Sequence, residues 1–548
     1  MPTLVANTIK PTSGDTVTFS DCNVSIGGTL TYEDVTNVDS VGIVTARSGI
    51  KVLSGVVTAM AGAAVTYYGD GSNLTGIELG TKNFVASGTI DNGKTVVLNT
   101  DGTVGIVTLT TSDTPEAGTP VFYDSPNSLY YNAVAYDSTN DKVVIAYADN
   151  SNSLKGKAIV GTVSGSSISF GTAVEFESGA TDYPRVTFVG SGKVVIAYRD
   201  DDNNAYGTAV VGTVSGTSIS FGTPVVFESA IINDSSITYD STNDRVVITY
   251  KDQGNNNYGT AIVGTVSGTS ISFGTAVVFE SAASTTTSAV FDTTNDKVVI
   301  AYQDAINSEY GTAIVGTVSG TSISFGTAAV FESATTTVVQ AAYVGSGKVV
   351  IAYRDYGNSD YGTAVVGTVS GTSISYGTPV VFNSANSTFI TVSYDSTNDK
   401  VVISYRDWGN SSYGTSILGT VSGTSISFGT PVVFESDTIG YTSSAYDPDN
   451  GKTVIVYRSS SKGTAVVLSS TSSATNLTAE NYIGIAGEAI ANAATGKVTV
   501  LGGVNSGQSG LTTAKKYYVG QTGILTTTAD TPSVVAGTSI SDTKILVR

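Results

Sequence analysis

The chain has no histidine and a single cysteine, Cys22, among its 548 residues. Without imidazole, the commonest general acid/base and a principal metal ligand are missing. Ser-His-Asp, Cys-His and zinc-hydrolase chemistries are therefore excluded. One thiol also excludes an intrachain disulfide framework and a thiolate zinc cluster. Charge is scarce: 13% of residues carry it, about half the usual share. Lys and Arg number 26 against 45 Asp and Glu, a formal net charge of −19. That sign opposes phosphate neutralisation, the main source of nucleic-acid affinity, and adhesion to anionic lipid. No stretch reaches the roughly 18 apolar residues of a membrane span. The opening MPTLVANTIKPTSGD lacks the basic and apolar regions of a secretory signal, so synthesis in a cytoplasm is expected, with no nucleic acid among the partners and no membrane insertion. With 40% hydrophobic residues, the chain can still build large cores.

What is present is repetition. GTVSG(T/S)SIS(F/Y)GT begins at Gly161, Gly212, Gly264, Gly316, Gly367 and Gly419, at spacings of 51 or 52 residues. A second block, (K/R)VVI(A/T/S)Y, ends at Tyr147, Tyr198, Tyr250, Tyr302, Tyr353 and Tyr405, and a variant, KTVIVY, ends at Tyr457. Each period reads as four short strands, as in SSITYD, RVVITYKD, YGTAIVGTV and SISFGTAVVFES, rich in β-branched and aromatic residues and separated by turn formers. Four strands per 51–52 residues is the signature of a β-propeller blade. The inner pair occurs seven times, but the last unit lacks its outer strand, whose counterpart AGTPVFYDS lies upstream at Ala117–Ser125. The expected fold is all-β: a seven-bladed propeller over residues 117–472, closed by the N-terminal strand 118–125. Such closure removes an exposed sheet edge. Residues 1–80 are expected as a β-rich attachment and oligomerisation segment, 81–116 as a connector and 473–548 as a small C-terminal β domain.

Comparison of the repeats with one another locates a candidate binding face. The A–B turn is mostly DSTND and the C–D turn nearly constant VSGTSIS, whereas the B–C loops and D–A segments differ in every blade. Binding residues concentrate on loops held by a rigid scaffold. The candidate receptor-binding residues are those where strand B ends and just beyond: Arg199, Asp200, Lys251, Asp252, Asp304, Arg354, Asp355, Tyr356, Arg406, Asp407 and Trp408. Aromatic rings flanked by Asp, Asn and Arg suit sugars, whose apolar faces stack and whose hydroxyls bond to carboxylates and amides. The same residues also serve as turn formers and weak surface ion pairs. The turns at Asp137, Asp240 and Asp395 offer carboxylates for calcium but lack EF-hand spacing, so a plain turn is favoured. Arg199, Arg354, Arg406 and Arg458 are the residue type of a sialidase arginine cluster, but the Asp-box Asp is absent. YYGDGSNLTG at Tyr67–Gly76 lacks the Lys and helix of a phosphate loop. No catalytic residue, metal site or cofactor is expected.

The flanks carry a resemblance. GGTLTYEDVTNVDSVGIVTARSGIKV followed by GDGSNLTGI, and the opening NTIKPTSGDTVTFS, resemble tail-fibre and other virion structural proteins of bacteriophages, especially those of marine cyanobacteria. NGKTVVLNTDGTV, the blades themselves and ENYIGIAGEAI…GLTTAKKYYVGQTGILTTTADTPSVVAGTSISDTKILV are similar to modules of the same class. The resemblance implies a virion appendage, displayed on the outside of the particle and trimeric. Its N-terminal part would meet other virion structural proteins, and its propeller would bind a host-surface glycan or protein. A purely structural fibre or decoration protein, and a polysaccharide depolymerase, are the alternatives.

Overall fold

The computed structural model describes residues 80–107, 109–124, 129–474, 476–520, 523–529 and 532–548. The attachment segment expected at 1–80 lies, but for Gly80, outside these residues, as do Cys22 and the Tyr67–Gly76 turn.

Each (K/R)VVI run becomes strand B of a four-stranded antiparallel blade. In the third blade, strand A is the latter part of Val225–Asp240, strand B is Arg245–Asp252 and strand C is Tyr258–Ser267. Strand D is Ser270–Phe273, continued by the first residues of Val277–Asp292. Val246, Val247, Ile248 and Tyr250 are at most 1% exposed. Burial on both faces is why the run is continuous rather than alternating. Seven such units follow one another, with strands B at Lys142–Asp149, Lys193–Asp200, Arg245–Asp252, Lys297–Asp304, Lys348–Asp355, Lys400–Asp407 and Lys452–Ser459. Strand A of the seventh packs against strand A of the first, which closes a seven-bladed β-propeller.

The seventh strand D comes from upstream. Leu109–Ala117 pairs with the outer end of Lys462–Ala474, taking the place of SISF, and Val121–Asp124 pairs lower on the same strand, taking the place of VVFES. The closing segment thus begins at Leu109, earlier than the expected 118–125. The expected connector 81–116 is likewise divided. Thr81–Val85, Thr95–Leu98 and Val104–Ile106 join Tyr482–Ala486 and Thr495–Thr499 in one five-stranded sheet. A second small sheet contains Val504–Asn505, Lys516–Val519, Leu525–Thr526, Val535–Ser539 and Ile545–Val547. Val97, Ile485, Leu511, Tyr517, Val519 and Ile545 share one core. The C-terminal domain is therefore composite. Closure brings both flanks out of the seventh blade side by side, and Val97 and Val107 of the N-terminal flank complete a core built mostly by the C-terminal one.

The blades are fastened to one another by a repeated contact. Gly259 leaves room for the Phe279 ring, which a Cβ there would meet at 2.6 Å. Phe279 reaches into the next blade, with its centroid 5.3 Å from Tyr302 and 5.9 Å from Phe325. Tyr302, fully buried, donates its hydroxyl proton back to Glu280 of the preceding blade at 2.9 Å. The same bond joins Tyr198 to Glu177, Tyr250 to Glu228, Tyr353 to Glu332 and Tyr457 to Glu435, at 2.9–3.1 Å. Burial raises the Glu280 carboxyl above its ordinary value, opposed by the Tyr302 bond.

Two interfaces depart from the pattern. Asn383 replaces the glutamate opposite Tyr405 and turns its amide to Ser387 and Asp407. At the closure, Tyr123 and Asp124 replace Phe and Glu, and the Tyr123 hydroxyl and one Asp124 oxygen are buried without a hydrogen-bond partner. Burial, followed by the neighbouring Asp149, pushes the Asp124 carboxyl up to about 6, with Lys157 opposing.

Tyr302→Phe leaves Glu280 without its donor and is expected to cost about 1.5–3 kcal/mol. Tyr405→Phe, with no such bond to lose, is expected to cost less than about 1 kcal/mol by the same reasoning. Denaturant midpoints of the two variants measure the difference, and equal losses would refute the role of the bond. The Asp124 carboxyl holds its proton more tightly folded than unfolded, so its contribution to stability falls as pH rises from about 4 to about 6. Asp124→Asn should raise the melting temperature at pH 7.5 and lose that advantage below pH 4. An advantage independent of pH would argue against it.

Candidate functional site at the axial mouth

In the six crossings described throughout, the segment between strand D of one blade and strand A of the next is not a loop. It is a single strand of 15 or 16 residues, such as Val277–Asp292, that leaves one blade and enters the next. Where it turns toward the axis, its pairing with strand B slips, for example between Thr285 and Ser288. The same slip occurs in all seven blades. Each slip is a β-bulge, which bends a strand and re-aims a side chain. The bulged residues are Tyr131, Tyr183, Asp234, Thr286, Val338, Phe389 and Tyr441, all with φ between 47° and 55°. Positive φ is a genuine outlier for bulky or β-branched residues. Its recurrence in every blade shows that the crossing geometry imposes it.

The seven bulged residues fall into two arcs. Phe389, Tyr441, Tyr131 and Tyr183, from the sixth, seventh, first and second blades, form a continuous aromatic run with successive centroids 5.3, 4.9 and 4.5 Å apart. Asp234, Thr286 and Val338 complete the circle. Two positions further along strand A, five blades carry small residues: Ala133, Ser236, Ser288, Thr391 and Ser443. The serines stitch neighbouring blades, Ser236 and Ser288 each accepting from the next strand's amide at 3.0 Å. The other two blades carry Arg185 and Gln340. Both line a cavity of about 400 Å³ with Asp234, Thr286, Phe389 and Arg406, and a second of about 210 Å³ with Tyr131, Tyr183, Phe389 and Tyr441.

Arg185 donates Nε to the Ser235 carbonyl at 2.9 Å and Nη1 to the Pro184 carbonyl at 3.1 Å, and it has no ion pair. Burial lowers its pKa, opposed first by Asp234, but a guanidinium stays charged. Burial raises the Asp234 carboxyl, against the pull of Lys251, Arg185 and Arg199.

The residues singled out in the sequence stand around this mouth. Arg199 is tied to Asp182 and Asp201 at 2.5 Å and lies over the Tyr183 ring. Arg354 pairs with Asp360 at 3.2 Å and lies over Tyr356. Arg406 sits between the Phe389 and Trp408 rings, 4.9 and 4.6 Å from their centroids, and donates to Thr388 Oγ1 and the Ile439 carbonyl. Arg458 lies 5.2 Å from both Tyr130 and Tyr441. Tyr356 and Trp408 are 47% and 51% exposed. The aspartates are differently occupied. Asp200, Asp252, Asp355 and Asp407 cap the 3-10 turns that follow, accepting from the amides of Asn203, Asn255, Asn358 and Gly409. Asp304 accepts from Ile306 and Asn307. On the opposite face, Asp137, Asp240 and Asp395 accept from their own turn amides and from the Asn three residues on.

Sequence reading missed the bulged column and Arg185. The signal was available: these positions change chemistry from blade to blade while the adjoining VVI core repeats.

No protein-family model and no curated protein matches the chain. Solved structures do. The BP39L lectin from Burkholderia pseudomallei is similar over 63% of this chain and 96% of its own, at 7% identity and a TM-score of 0.46. The β-propeller domain of Cps50 (Swd1) from Myceliophteria thermophila is similar over 64% and 100%, at 9% identity and 0.43. A protein of unknown function from Dyadobacter fermentans is similar over 65% and 99%, at 11% identity and 0.40.

Thr286 combines imposed strain with a buried hydroxyl that has no hydrogen-bond partner. Releasing such a conformation is worth roughly 1–3 kcal/mol, against about 0.5–1 kcal/mol for a glycine's extra freedom when unfolded. Thr286→Gly is therefore expected to raise the urea midpoint, whereas Thr238→Gly, in the straight part of a strand A, should lower it. Equal destabilisation by both would contradict imposed strain.

Proposed function

We propose that the protein is a virion appendage protein of the tail-fibre kind that its flanks resemble, displayed on the outside of the particle, and that it holds a host-surface glycan in the axial mouth of the propeller. The carrying observation is the unbroken arc Phe389–Tyr441–Tyr131–Tyr183, which lines one cavity together with Asp234 and Gln340. Aromatic faces stack on the apolar faces of sugar rings, and amides and carboxylates bond to their hydroxyls. The arc lines a recess of about 210 Å³, and the recess of about 400 Å³ that shares Arg185, Asp234, Val338, Gln340 and Phe389 with it is within the usual size of ligand pockets.

The same site favours holding over cutting. Most glycosidases use two carboxylates about 5–9.5 Å apart. Asp234 is the one carboxylate lining the two cavities, and the nearby aspartates are engaged in caps and ion pairs. A non-enzymatic adhesin is the reading this favours. Segment 1–80 then serves attachment to other virion structural proteins and assembly of the homotrimer.

Full-length protein is expected to bind a host envelope fraction. Tyr131→Ala with Tyr441→Ala should weaken that binding by roughly ten- to a hundredfold, the loss of about 1–3 kcal/mol typical of anchor aromatics. Trp408→Ala with Asp407→Ala, at the outer rim, should weaken it less. Wild-type protein that binds no host envelope fraction would end the adhesin reading, and release of reducing ends would replace it with a depolymerase.

A further inference from the structure

In a protein of net charge −19, three guanidiniums gather beside the aromatic arc without an ion pair among the described residues. Arg185 stands between the two cavities with Nη2 unbonded. Arg406 uses Nε and Nη1 on neutral oxygens and leaves Nη2 free. Arg458 makes neither a hydrogen bond nor an ion pair, and its plane is set by Tyr130 and Tyr441. The other two arginines of the series are neutralised by Asp182, Asp201 and Asp360. Asp234, which lines both cavities with Arg185 and precedes the Ser235 that Arg185 bonds, is the one carboxylate there and is shared with Lys251, so the three guanidiniums outnumber it and the recess stays net positive.

A planar guanidinium matches a carboxylate through two parallel hydrogen bonds, and a guanidinium stacked on a ring keeps its edge donors free. A neutral sugar would leave these donors facing nothing but water. Resting on the glycan-binding reading above, we infer that the ligand is an acidic saccharide. Its sugar ring lies on the Tyr131–Tyr441–Phe389 arc and its carboxylate meets Arg185, with Arg406 flanking. Gln340, opposite Arg185 in the same recess, bonds to ring hydroxyls. Arg185 is the discriminating residue, because both cavities share it and the other rim cations lie further out.

The experiment compares three acidic oligosaccharides, built of galacturonate, glucuronate and mannuronate, with their methyl esters, which keep the shape and remove the charge. Binding to the full chain is measured by calorimetry at two salt concentrations. At least one acid is expected to bind tenfold or more tightly than its ester. Arg185→Gln should bring the acid down to the affinity of the ester while leaving the ester unchanged, and Arg406→Gln should act in the same direction, more weakly. Because Arg185 is enclosed, a loss of both acid and ester binding would mark a damaged ring, and Arg406→Gln, nearer the rim, then decides alone. The inference is overturned if none of the three acids binds, if acid and ester bind alike, or if neither arginine variant separates them. The two readings fail separately. Acid-selective binding without attachment to host envelope removes the host receptor and keeps the ligand class. Envelope binding untouched by Arg185→Gln and Arg406→Gln removes the ligand class and keeps the adhesin.

Discussion

The ring depends on what a blade does with its neighbour. Every strand B ends in a tyrosine that is at most 1% exposed, and in five blades its hydroxyl is satisfied by a glutamate of the blade before. A buried hydroxyl without a partner is costly, and a half-buried carboxylate without a donor more so. The pair therefore makes each blade incomplete alone and complete only beside another. The phenylalanine between them supplies packing area, and the glycine beneath it supplies room. A 51–52-residue unit copied along the chain carries both halves of this contact, so duplication alone builds an array, and the displaced segment from Leu109 to Asp124 turns the array into a ring. The imperfect contact lies at that closure, where Tyr123 and Asp124 stand in for Phe and Glu.

Closure of the ring has a second consequence, at its centre. In the six crossings described throughout, strand D of one blade becomes strand A of the next without a loop, so the backbone bends within a strand. It does so through a bulge that forces one residue per blade into positive φ. That residue is released from the alternation governing its neighbours, and its side chain is carried to the mouth. The seven equivalent positions differ: four aromatics, an aspartate, a threonine and a valine. The fold thus separates its tasks. Strand B and its tyrosine are held constant by the interface, while the bulged column varies in chemistry from blade to blade.

The sequence carried the blades more legibly than the site. The Val-Val-Ile runs and the displaced AGTPVFYDS announce seven units and their closure, because a strand buried on both faces must be apolar along its length. The composite flanking domain was not legible, since Thr81–Val85 and Tyr482–Ala486 are separated by the whole ring and pair only once it closes. The candidate residues at the ends of strand B lie on the same side of the ring as the bulged column. Their chemistry was read too evenly, however. Asp200, Asp252, Asp355 and Asp407 satisfy the amides of the short turns they begin, and of the residues beside them Arg406 lines the axial cavity. Arg185 was hidden because nothing local marks a bulge: SGATDYPRVTF reads as a loop until its pairing with Lys193–Asp200 is known.

A net charge of −19 bears on how an acidic ligand would reach such a mouth. At low ionic strength the protein's long-range field repels an anion, so association gains nothing from steering. Salt shortens the reach of that field, to about 10 Å at 0.1 M and about 3 Å at 1 M. A contact between a guanidinium and a carboxylate inside a recess is screened far less, because low-dielectric walls surround it. Selectivity then comes from the short-range match at Arg185 and Arg406, and rising salt removes the repulsion before it weakens the contact. A few guanidiniums held in a recess tolerate salt, whereas a broadly basic binding face would lose affinity steadily as salt rose.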